Sequence, residues 1–308
     1  MNTEVPISLT FDVEEHHRIE AAAHLNCPPE LQVQYAGRME DTTRWLLDVL
    51  DERAIKATFF VVGEIAESHP SLVRRIAESG HEVASHSWDH RRVIHFSPQT
   101  FREDVRTSKD ALEQAAGDAV VGFRAPTFSI TRATPWAIDV LAELEIKYDS
   151  SVFPVKHDRY GIHDAPTTPF RARGETREIL ELPPLTLREF GANLPVAGGG
   201  YFRLFPLWVM NRGIQAMAQL PLSASVLYFH PWEFDPGQPK LPLGRLSKFR
   251  TYVGIRRSRG RLEQLLGRHQ FVRMCDLADR FLQRWDALPA FNLAHPDSKY
   301  SPAVRAAA

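Results

Sequence analysis

The stretch LTFDVEEHHRIE, residues 9–20, places Asp12, Glu14 and Glu15 directly behind a short apolar run, with two histidines immediately after them. Carboxylates and imidazoles are the side chains that exchange protons or hold divalent metal ions. Alternate side chains of a strand point to the same side, so Asp12 and Glu14 are predicted to share one face. One of the two can then bind a metal ion while the other takes a proton from water.

Titratable side chains also follow the other predicted strands. HSWDH, RAPTF, YDSSVF and YFHPWE each stand at the end of an apolar run, and they supply His86, His90, Arg124, Asp149 and His230. In parallel α/β folds the carboxyl ends of the strands open toward one side, where their loops converge. These groups are therefore expected to meet the carboxylates of the first strand.

The types of these residues predict one particular chemistry. His86 and His90 are separated by three residues, and on a helical turn this spacing points both imidazoles the same way. Together with Glu14 they would form a His-His-carboxylate site with open positions, which is typical of catalytic zinc. Such a site lowers the pKa of bound water and polarises a carbonyl oxygen. With Asp12 as base and His230 protonating a leaving amine, the pattern predicts metal-assisted amide hydrolysis, and Arg124 would pair with Asp12 and hold it ionised.

Each group also has an ordinary structural explanation. An isolated HxxxH pair occurs often by chance, DVEE can be a solvated strand end, and Arg124 can be a loop residue. His230 can be a core histidine, and Asp149 can cap a turn. The occurrence of all these groups in order at successive strand ends favours a single site over several unrelated explanations.

Strands and helices alternate from residue 7 to about residue 153, which predicts an α/β fold with a parallel sheet, closed or incomplete as a barrel. ISLTF and KATFFVVG are predicted strands, and EDTTRWLLDVLDERA is a predicted helix capped by Asp41 or Thr42. Residues 154–206 are rich in Pro, Gly and Arg and are predicted to be an insertion of loops and short strands. One domain is expected over residues 5–282, followed by a loose tail over 283–308.

Composition limits the partners and the location. The chain has 308 residues, 44% of them hydrophobic, and a formal net charge of -1, so no overall field favours nucleic acid or an anionic membrane. The two cysteines show no metal-binding or disulfide pattern. The amino terminus lacks the basic and apolar regions of a signal peptide, and no stretch approaches a membrane span of about 20 apolar residues. We therefore expect no transmembrane segment and a cytoplasmic location, and homo-oligomerisation is left open.

Motif by motif, the chain resembles the polysaccharide deacetylases of the NodB-homology group, carbohydrate esterase family four, whose fold is a distorted (β/α) barrel. TFDVEE resembles the first motif of that family, HSWDH the H-[ST]-x-x-H metal motif, and RAPTF the R-x-P motif. YDSSVF and LYFH resemble the fourth and last motifs. Longer runs, among them LPVAGGGYFRL and HPWEFDPGQPKLP, resemble the subfamily encoded beside exosortase (PEP-CTERM) exopolysaccharide loci. The resemblance extends from about residue 5 to about residue 282.

The resemblance implies hydrolysis of acetamido groups on an N-acetylated polysaccharide or its precursor. It implies a divalent metal ion, usually Zn²⁺, and it assigns roles to seven residues: the base Asp12, the acid His230, the orienting Arg124, the supporting Asp149, and the ligands Glu14, His86 and His90. This chain has Asp-Val-Glu where most of the family has two adjacent aspartates. Glu15 and His16 therefore remain competing ligands.

Substrate contacts are expected from Thr127, whose backbone N–H would stabilise an oxyanion, and from Phe128 and Trp232. Gly198–Phe202 is predicted to let the backbone approach a glycan, with Tyr201 stacking on a sugar. Two rival functions remain: hydrolysis of cyclic amides or imides at the same metal site, and glycan binding without catalysis. The insertion favours a glycan substrate over a small cyclic one.

Overall fold

The computed structural model describes residues 5–157 and 159–295. Seven parallel strands form the centre of the fold, and these are β1 (Ile7–Val13), β2 (Thr58–Val61), β3 (Glu82–Ser85), β4 (Gly122–Phe123), β5 (Tyr148–Asp149), β7 (Glu178–Glu181) and β10 (Ser225–Phe229). The remaining strands are β6 (Phe170–Arg173), β8 (Thr186–Glu189), β9 (Ala192–Pro195), β11 (Phe271–Val272) and β12 (Ala290–Asn292).

Helices connect and cover these strands. Five belong to the first half of the chain: α1 (Pro29–Asp51), α2 (Gly63–Ser68), α3 (Pro70–Glu78), α4 (Pro98–Ala116) and α5 (Trp136–Glu143). Five belong to the second half: α6 (Gly199–Leu204), α7 (Leu207–Met217), α8 (Arg245–Tyr252), α9 (Ser258–Leu266) and α10 (Met274–Leu282). Short 3-10 turns lie between several of these elements.

The sheet has the order β10-β1-β2-β3-β4-β5-β7, with every neighbouring pair parallel. Just beyond β7 the chain bridges to β10 in parallel, where the Leu185 N–H donates to the Val226 carbonyl at 3.0 Å. This bridge closes the seven strands into a distorted barrel. Beyond β7, the antiparallel strand β6 and then β12 extend the same sheet outward. The predicted α/β fold is confirmed.

The local sequence explains the central elements. All seven residues of β1 and all four of β2 are buried, as is usual for parallel strands covered on both faces. Helix α4 starts where the Ser97 hydroxyl accepts the Thr100 N–H at 3.2 Å, and it stops at Gly117 with φ 74°. Because the seven central strands are parallel, the loops that follow them leave from one side of the barrel.

Three predictions need correction. Helix α1 begins at Pro29, and Thr42 is buried in its interior, so the cap predicted at Asp41 or Thr42 is wrong. Residues 154–206 contain short strands, as predicted, but β6 and β7 are part of the main sheet and not of an insertion. The tail is not loose over its first part, because β12 adds a strand there and Phe291 is buried. Residues 296–308 lie outside the described residues.

No helix within the described ranges has both the length and the apolar character needed to cross a membrane. Cys27 and Cys275 are both free thiols.

Candidate active site

Asp12, near the end of β1, forms a buried ion pair with Arg124, which follows β4. Arg124 Nη1 donates to Asp12 Oδ1 at 2.6 Å and to the Thr10 hydroxyl at 2.7 Å. Its other guanidinium nitrogens donate to the Ser150 carbonyl and hydroxyl, and the guanidinium carbon lies 4.1 Å from the Phe60 ring centroid. Arg124 is completely buried, so it fixes one carboxylate oxygen of Asp12 and leaves the other facing the cleft.

Glu14, His86 and His90 form the cluster of possible metal ligands, with donor atoms that all lie within 4.8 Å of one another. Glu14 directly follows β1, and His86 follows β3 two strands away. The carboxylate of Glu14 contacts His90 Nε2, and its other oxygen accepts the indole N–H of Trp232 at 3.1 Å. The predicted ligand set is therefore gathered at one point of the fold.

The loop that carries the two histidines is not a helical turn, and that part of the prediction is wrong. Ser87 and His90 adopt positive φ angles of 65° and 66°, which break any helical path. The loop is instead fixed by hydrogen bonds from its surroundings. The Gly63 N–H donates to the Ser87 carbonyl at 2.9 Å, and the Trp88 N–H donates to Asp104 Oδ2 at 3.1 Å. The two imidazoles still come together, with ring centroids 5.0 Å apart.

Hydrogen bonding determines which nitrogen of His86 is available. Its Nδ1 lies 2.8 Å from the carbonyl oxygen of Arg124, so Nδ1 must carry the proton that it donates. Nε2 is then left as the free lone pair, as in metal-bound histidines. Burial lowers the pKa of His86 to about 4, which keeps this ring neutral. Burial alone would raise the pKa of Glu14, but His90, His230 and His86 hold it well below its usual range.

The proposed acid, His230, stands at the end of β10 on the other side of the cluster. Its Nε2 lies 3.9 Å from Asp12 Oδ2 and 3.8 Å from Glu14 Oε1, so it borders the same space as the base. The side chain of His230 is 19% exposed, whereas that of Glu14 is 2% exposed, so His230 is the more accessible of the two from solvent.

Glu233 and Arg203 complete this side of the site, and the sequence interpretation missed both. Glu233 Oε1 lies 2.7 Å from His230 Nδ1, and Glu233 Oε2 accepts from Arg203 Nε at 2.7 Å. Burial alone would lower the pKa of His230, but this bond and the charges of Glu14, Glu233 and Asp12 raise it to about 9. The signal available in the sequence was the spacing H-P-W-E, which brings a carboxylate back to the histidine across one turn.

An open cleft of about 170 Å³ leads to this cluster. Thr127, Phe128 and Trp232, the residues predicted to contact a substrate, all line it. Thr127 has a left-handed backbone with φ 55° at the turn after Arg124. Tyr160 and Tyr228, which the sequence interpretation did not select, also line the cleft.

Tyr201 does not line this cleft, which contradicts its predicted place. Its ring packs on Phe205, at a centroid distance of 5.9 Å, in a separate small pocket. Gly198, in the run of glycines before Tyr201, allows close packing of the backbone rather than the approach of a glycan. Gly198 bridges to Tyr228 of β10, and a side chain at Gly198 would collide with the Tyr228 carbonyl oxygen.

Asp149 does not line the cleft and pairs with Glu181 of the neighbouring strand β7. It still borders the site indirectly, because the Ser151 hydroxyl that it binds accepts the N–H of Ala125, next to Arg124, at 2.7 Å. Its Oδ1 accepts from the Ser151 hydroxyl at 2.5 Å, and Glu181 Oε1 accepts the Val152 N–H at 3.0 Å. The second oxygen of each carboxyl group is buried without a donor among the described residues, as expected if the two groups share a proton. Burial raises the pKa of Asp149 to about 6, and burial together with Asp149 raises that of Glu181 well above its ordinary value.

Glu181→Gln is expected to flatten the dependence of stability on pH. A raised carboxyl pKa favours folding while the group is protonated, and this contribution is lost as pH rises through the folded pKa. Relative to the variant, the wild-type protein should therefore lose melting temperature as pH rises from about 4 through the pKa of Asp149, about 6, and beyond it. An amide donates in place of the shared proton, so the variant should lose less. Thermal melts at several pH values measure this, with the exposed Glu175→Gln as control, and parallel curves for Glu181→Gln and wild type would contradict it.

The two competing ligands are engaged elsewhere. Glu15 Oε2 accepts from Arg18 Nε at 2.5 Å. His16 lies 2.9 Å from the Tyr252 hydroxyl through Nε2, and burial lowers its pKa to about 3. Neither residue belongs to the cluster of Glu14 and the two histidines.

The cluster fits a divalent metal ion. Donor atoms of two imidazoles and one carboxylate converge, and Glu14 Oε2 lies directly against His90 Nε2, a contact that a cation bound between the two would replace. Two imidazoles and one carboxylate, open to a cleft, match a catalytic rather than a structural zinc site. The site as a whole combines a fixed carboxylate, a possible metal centre and an oriented imidazole. This combination of groups is typical of hydrolase active sites.

Two family models match the chain, and they divide the site between them. Residues 3–148 match "Polysaccharide deacetylase", and residues 150–279 match "Domain of unknown function (DUF3473)". The first segment supplies Asp12, the three possible metal ligands and Arg124. The second segment supplies His230 with Trp232, Glu233 and Arg203. Residues 3–148 therefore form a polysaccharide deacetylase domain, as the motif resemblance implied.

Curated relatives agree over shorter segments. The chain is 34% identical over 97 residues to the chitooligosaccharide deacetylase of Bradyrhizobium sp., and the aligned segment covers 32% of this chain and 42% of the relative. It is 39% identical over 79 residues to the peptidoglycan-N-acetylglucosamine deacetylase PgdA of Listeria monocytogenes, and the aligned segment covers 25% of this chain and 17% of the relative. The matched part is thus less than half the length of these relatives.

Solved structures match the fold over nearly the whole chain. A Mycobacterium smegmatis protein described as a polysaccharide deacetylase superposes with a TM-score of 0.61 at 23% identity, covering 92% of this chain and 93% of the other. A Pseudomonas aeruginosa PAO1 protein with the same description gives a TM-score of 0.63 at 17% identity, covering 92% of each chain. At these identities the likeness supports the fold alone.

Proposed function

We propose that the protein is a metal-dependent deacetylase that hydrolyses acetamido groups of an N-acetylated polysaccharide or its precursor. One observation carries the proposal: Asp12 and His230 border the same open cleft, directly beside the cluster of Glu14, His86 and His90. A base and an acid on either side of a metal site are what amide hydrolysis requires. The family match supports the same reaction.

Glu14, His86 and His90 would hold the divalent ion, for which zinc suits the donor set best. When bound, such an ion polarises the acetyl carbonyl and lowers the pKa of water in the cleft. The remaining chemistry belongs to side chains of the protein itself.

Asp12 Oδ2 accepts the proton of the attacking water, while Arg124 holds Oδ1 and prevents the carboxylate from turning. A new C–O bond forms at the acetyl carbon, and the backbone N–H of Thr127, which lines the cleft, would stabilise the oxygen that gains charge. His230 Nε2–H then protonates the amide nitrogen as the C–N bond breaks. The products are acetate and a free sugar amine.

The substrate class follows from the shape and lining of the cleft. The site opens to solvent and is bordered by the aromatic rings of Phe128, Tyr160, Tyr228 and Trp232. Aromatic rings present broad apolar faces of the kind on which sugar rings stack. An open cleft of this kind suits one unit of a chain better than a small enclosed ligand. We therefore infer a glycan, and the resemblance to proteins of exopolysaccharide loci points to an exopolysaccharide.

Acetate release from a panel of N-acetylated saccharides, with and without a chelator, tests this function. We expect acetate from N-acetylglucosamine oligomers, its loss with the chelator, and its return when Zn²⁺ is added back. Cyclic ureides serve as the matched alternative substrates. Their hydrolysis in place of acetate release would favour a cyclic amidase, and saturable glycan binding without acetate would favour a binding protein.

A further inference from the structure

The segment from residue 236 to residue 262 carries eight cations and no carboxylate. The cations are Lys240, Arg245, Lys248, Arg250, Arg256, Arg257, Arg259 and Arg261. None of the eight forms an ion pair within the described part of the chain. The near-zero net charge of the whole protein therefore conceals a strongly basic surface.

Helix α8 adds exposed apolar side chains to this basic segment. Leu246 is 62% exposed and Phe249 is 55% exposed. They stand three residues apart and so lie on the same side of the helix. Arg245 and Lys248 have the same spacing and flank them. Among the eight residues of α8, only Thr251 is buried, so the apolar side is not used for packing inside the protein.

The helix is held firmly, although its outer side is free. Arg203, which also binds Glu233, donates from Nη1 to the carbonyls of Thr251 at 2.6 Å and Val253 at 3.0 Å. The Tyr252 hydroxyl accepts the Leu241 N–H at 2.7 Å. The exposed leucine and phenylalanine thus project from an anchored element.

A cavity of about 850 Å³ opens beside α8. Five cations line it: Arg203, Lys240, Arg256, Arg257 and Arg261. Its carboxylate, Asp235, is neutralised by Arg38 at 2.5 Å. The cavity is therefore suited to an anionic group such as a phosphate.

We propose that the outer side of α8 and the rim of this cavity dock on an anionic lipid bilayer. Exposed apolar side chains flanked only by cations are the features of an interfacial helix, in which Leu and Phe enter the acyl boundary while Arg and Lys meet lipid phosphates. This α8 surface consists of Arg245, Leu246, Lys248, Phe249, Arg256 and Arg257.

Charge argues against other occupants of the α8 surface. Two copies of the chain meeting here would bring their cations together, which is repulsive. A neutral N-acetylated glycan makes no use of unpaired cations. The two most exposed apolar side chains elsewhere lack this setting, since Phe190 directly follows Glu189 and Val33 lies three residues after Glu30. The inference goes beyond the proposed deacetylase function and does not depend on it.

Vesicle sedimentation of the full chain tests the proposal. The protein should pellet with vesicles of phosphatidylcholine plus phosphatidylglycerol, remain in the supernatant with phosphatidylcholine alone, and be released by high salt. Leu246→Ser with Phe249→Ser, and separately Arg245→Glu with Lys248→Glu, should each weaken partitioning by about tenfold or more. Phe190→Ser and Arg106→Glu are matched exposed controls and should bind like wild type.

Three results would overturn this inference. The first is equal pelleting with neutral and anionic vesicles, and the second is an equal loss of binding in the control variants. The third is a concentration-dependent dimer in size-exclusion chromatography that Phe249→Ser abolishes, because the surface would then join two copies. Thermal melts of each variant show whether a loss of binding comes from unfolding. If a double variant has a lower melting temperature than the wild-type protein, the single variants Phe249→Ser and Lys248→Glu replace it in the sedimentation experiment.

Discussion

Replacing Asp12 by asparagine is expected to lower the turnover number on N-acetylated saccharides by about 10²–10⁴-fold, with little change in KM or bound metal. Asparagine keeps the shape of the side chain and can still accept from Arg124, but it cannot take a proton from water. Asp12 is not among the clustered ligands, so elemental analysis should find the same metal content as in the wild-type protein.

Glu15→Gln provides the matched control for this experiment. Glu15 is a buried carboxylate three residues further along the same strand end, but it binds Arg18 rather than facing the cluster. The control should keep both turnover and metal. Melting temperatures are needed beside the rates, because Asp12→Asn leaves the charge of buried Arg124 without its counter-ion. A folded Asp12→Asn protein with wild-type turnover would remove Asp12 from the role of base.

The sequence predicted those parts of the site that depend only on where strands end. Parallel strands bring their carboxyl ends to one side, so Asp12, His86, Arg124 and His230 could be placed together from the sequence alone. Their order along the chain was enough, because the right-handed connections of such a fold leave few alternative arrangements.

The sequence could not predict geometry that is set by contacts between distant segments. Residues 86–90 were expected to form a helical turn, yet the positive φ angles of Ser87 and His90 come from hydrogen bonds to α2 and α4. Asp149 stands at a strand end like the other site residues, but β7 places Glu181 next to it. Tyr201 follows a run of glycines whose purpose, close approach to β10, is visible only once the strands are paired.

Two buried arginines organise the two sides of the proposed reaction. Arg124 fixes the base, and Arg203 fixes Glu233, which in turn binds the acid. The proposed base comes from residues 3–148 and the proposed acid from residues 150–279, so each matched family segment would supply one of the two proton-transfer groups. Under the proposed mechanism, the role of the second segment would be to supply and orient His230.

Glu233→Gln is therefore expected to lower turnover on N-acetylated saccharides by about 100-fold or more, although Glu233 does not line the cleft. The carboxylate of Glu233 accepts from His230 Nδ1 and so keeps Nε2 directed at the leaving nitrogen. A glutamine can present its amide N–H to Nδ1 instead. That hydrogen bond favours the wrong tautomer and no longer stabilises the imidazolium. Glu233 is thus a positioning residue that acts through His230.

The choice of substrate separates this role from a merely structural one. A sugar amine leaves only when it is protonated, whereas 4-nitrophenolate leaves 4-nitrophenyl acetate without a proton. Glu233→Gln should therefore lose activity on saccharides but keep ester hydrolysis within a few-fold of wild type, while Asp12→Asn should lose both. Asp235→Asn is the matched control, because Asp235 is a buried carboxylate two residues further on that binds Arg38 instead. Equal losses on both substrates, in a Glu233→Gln protein that melts and binds metal like wild type, would show that Glu233 does not act through the acid.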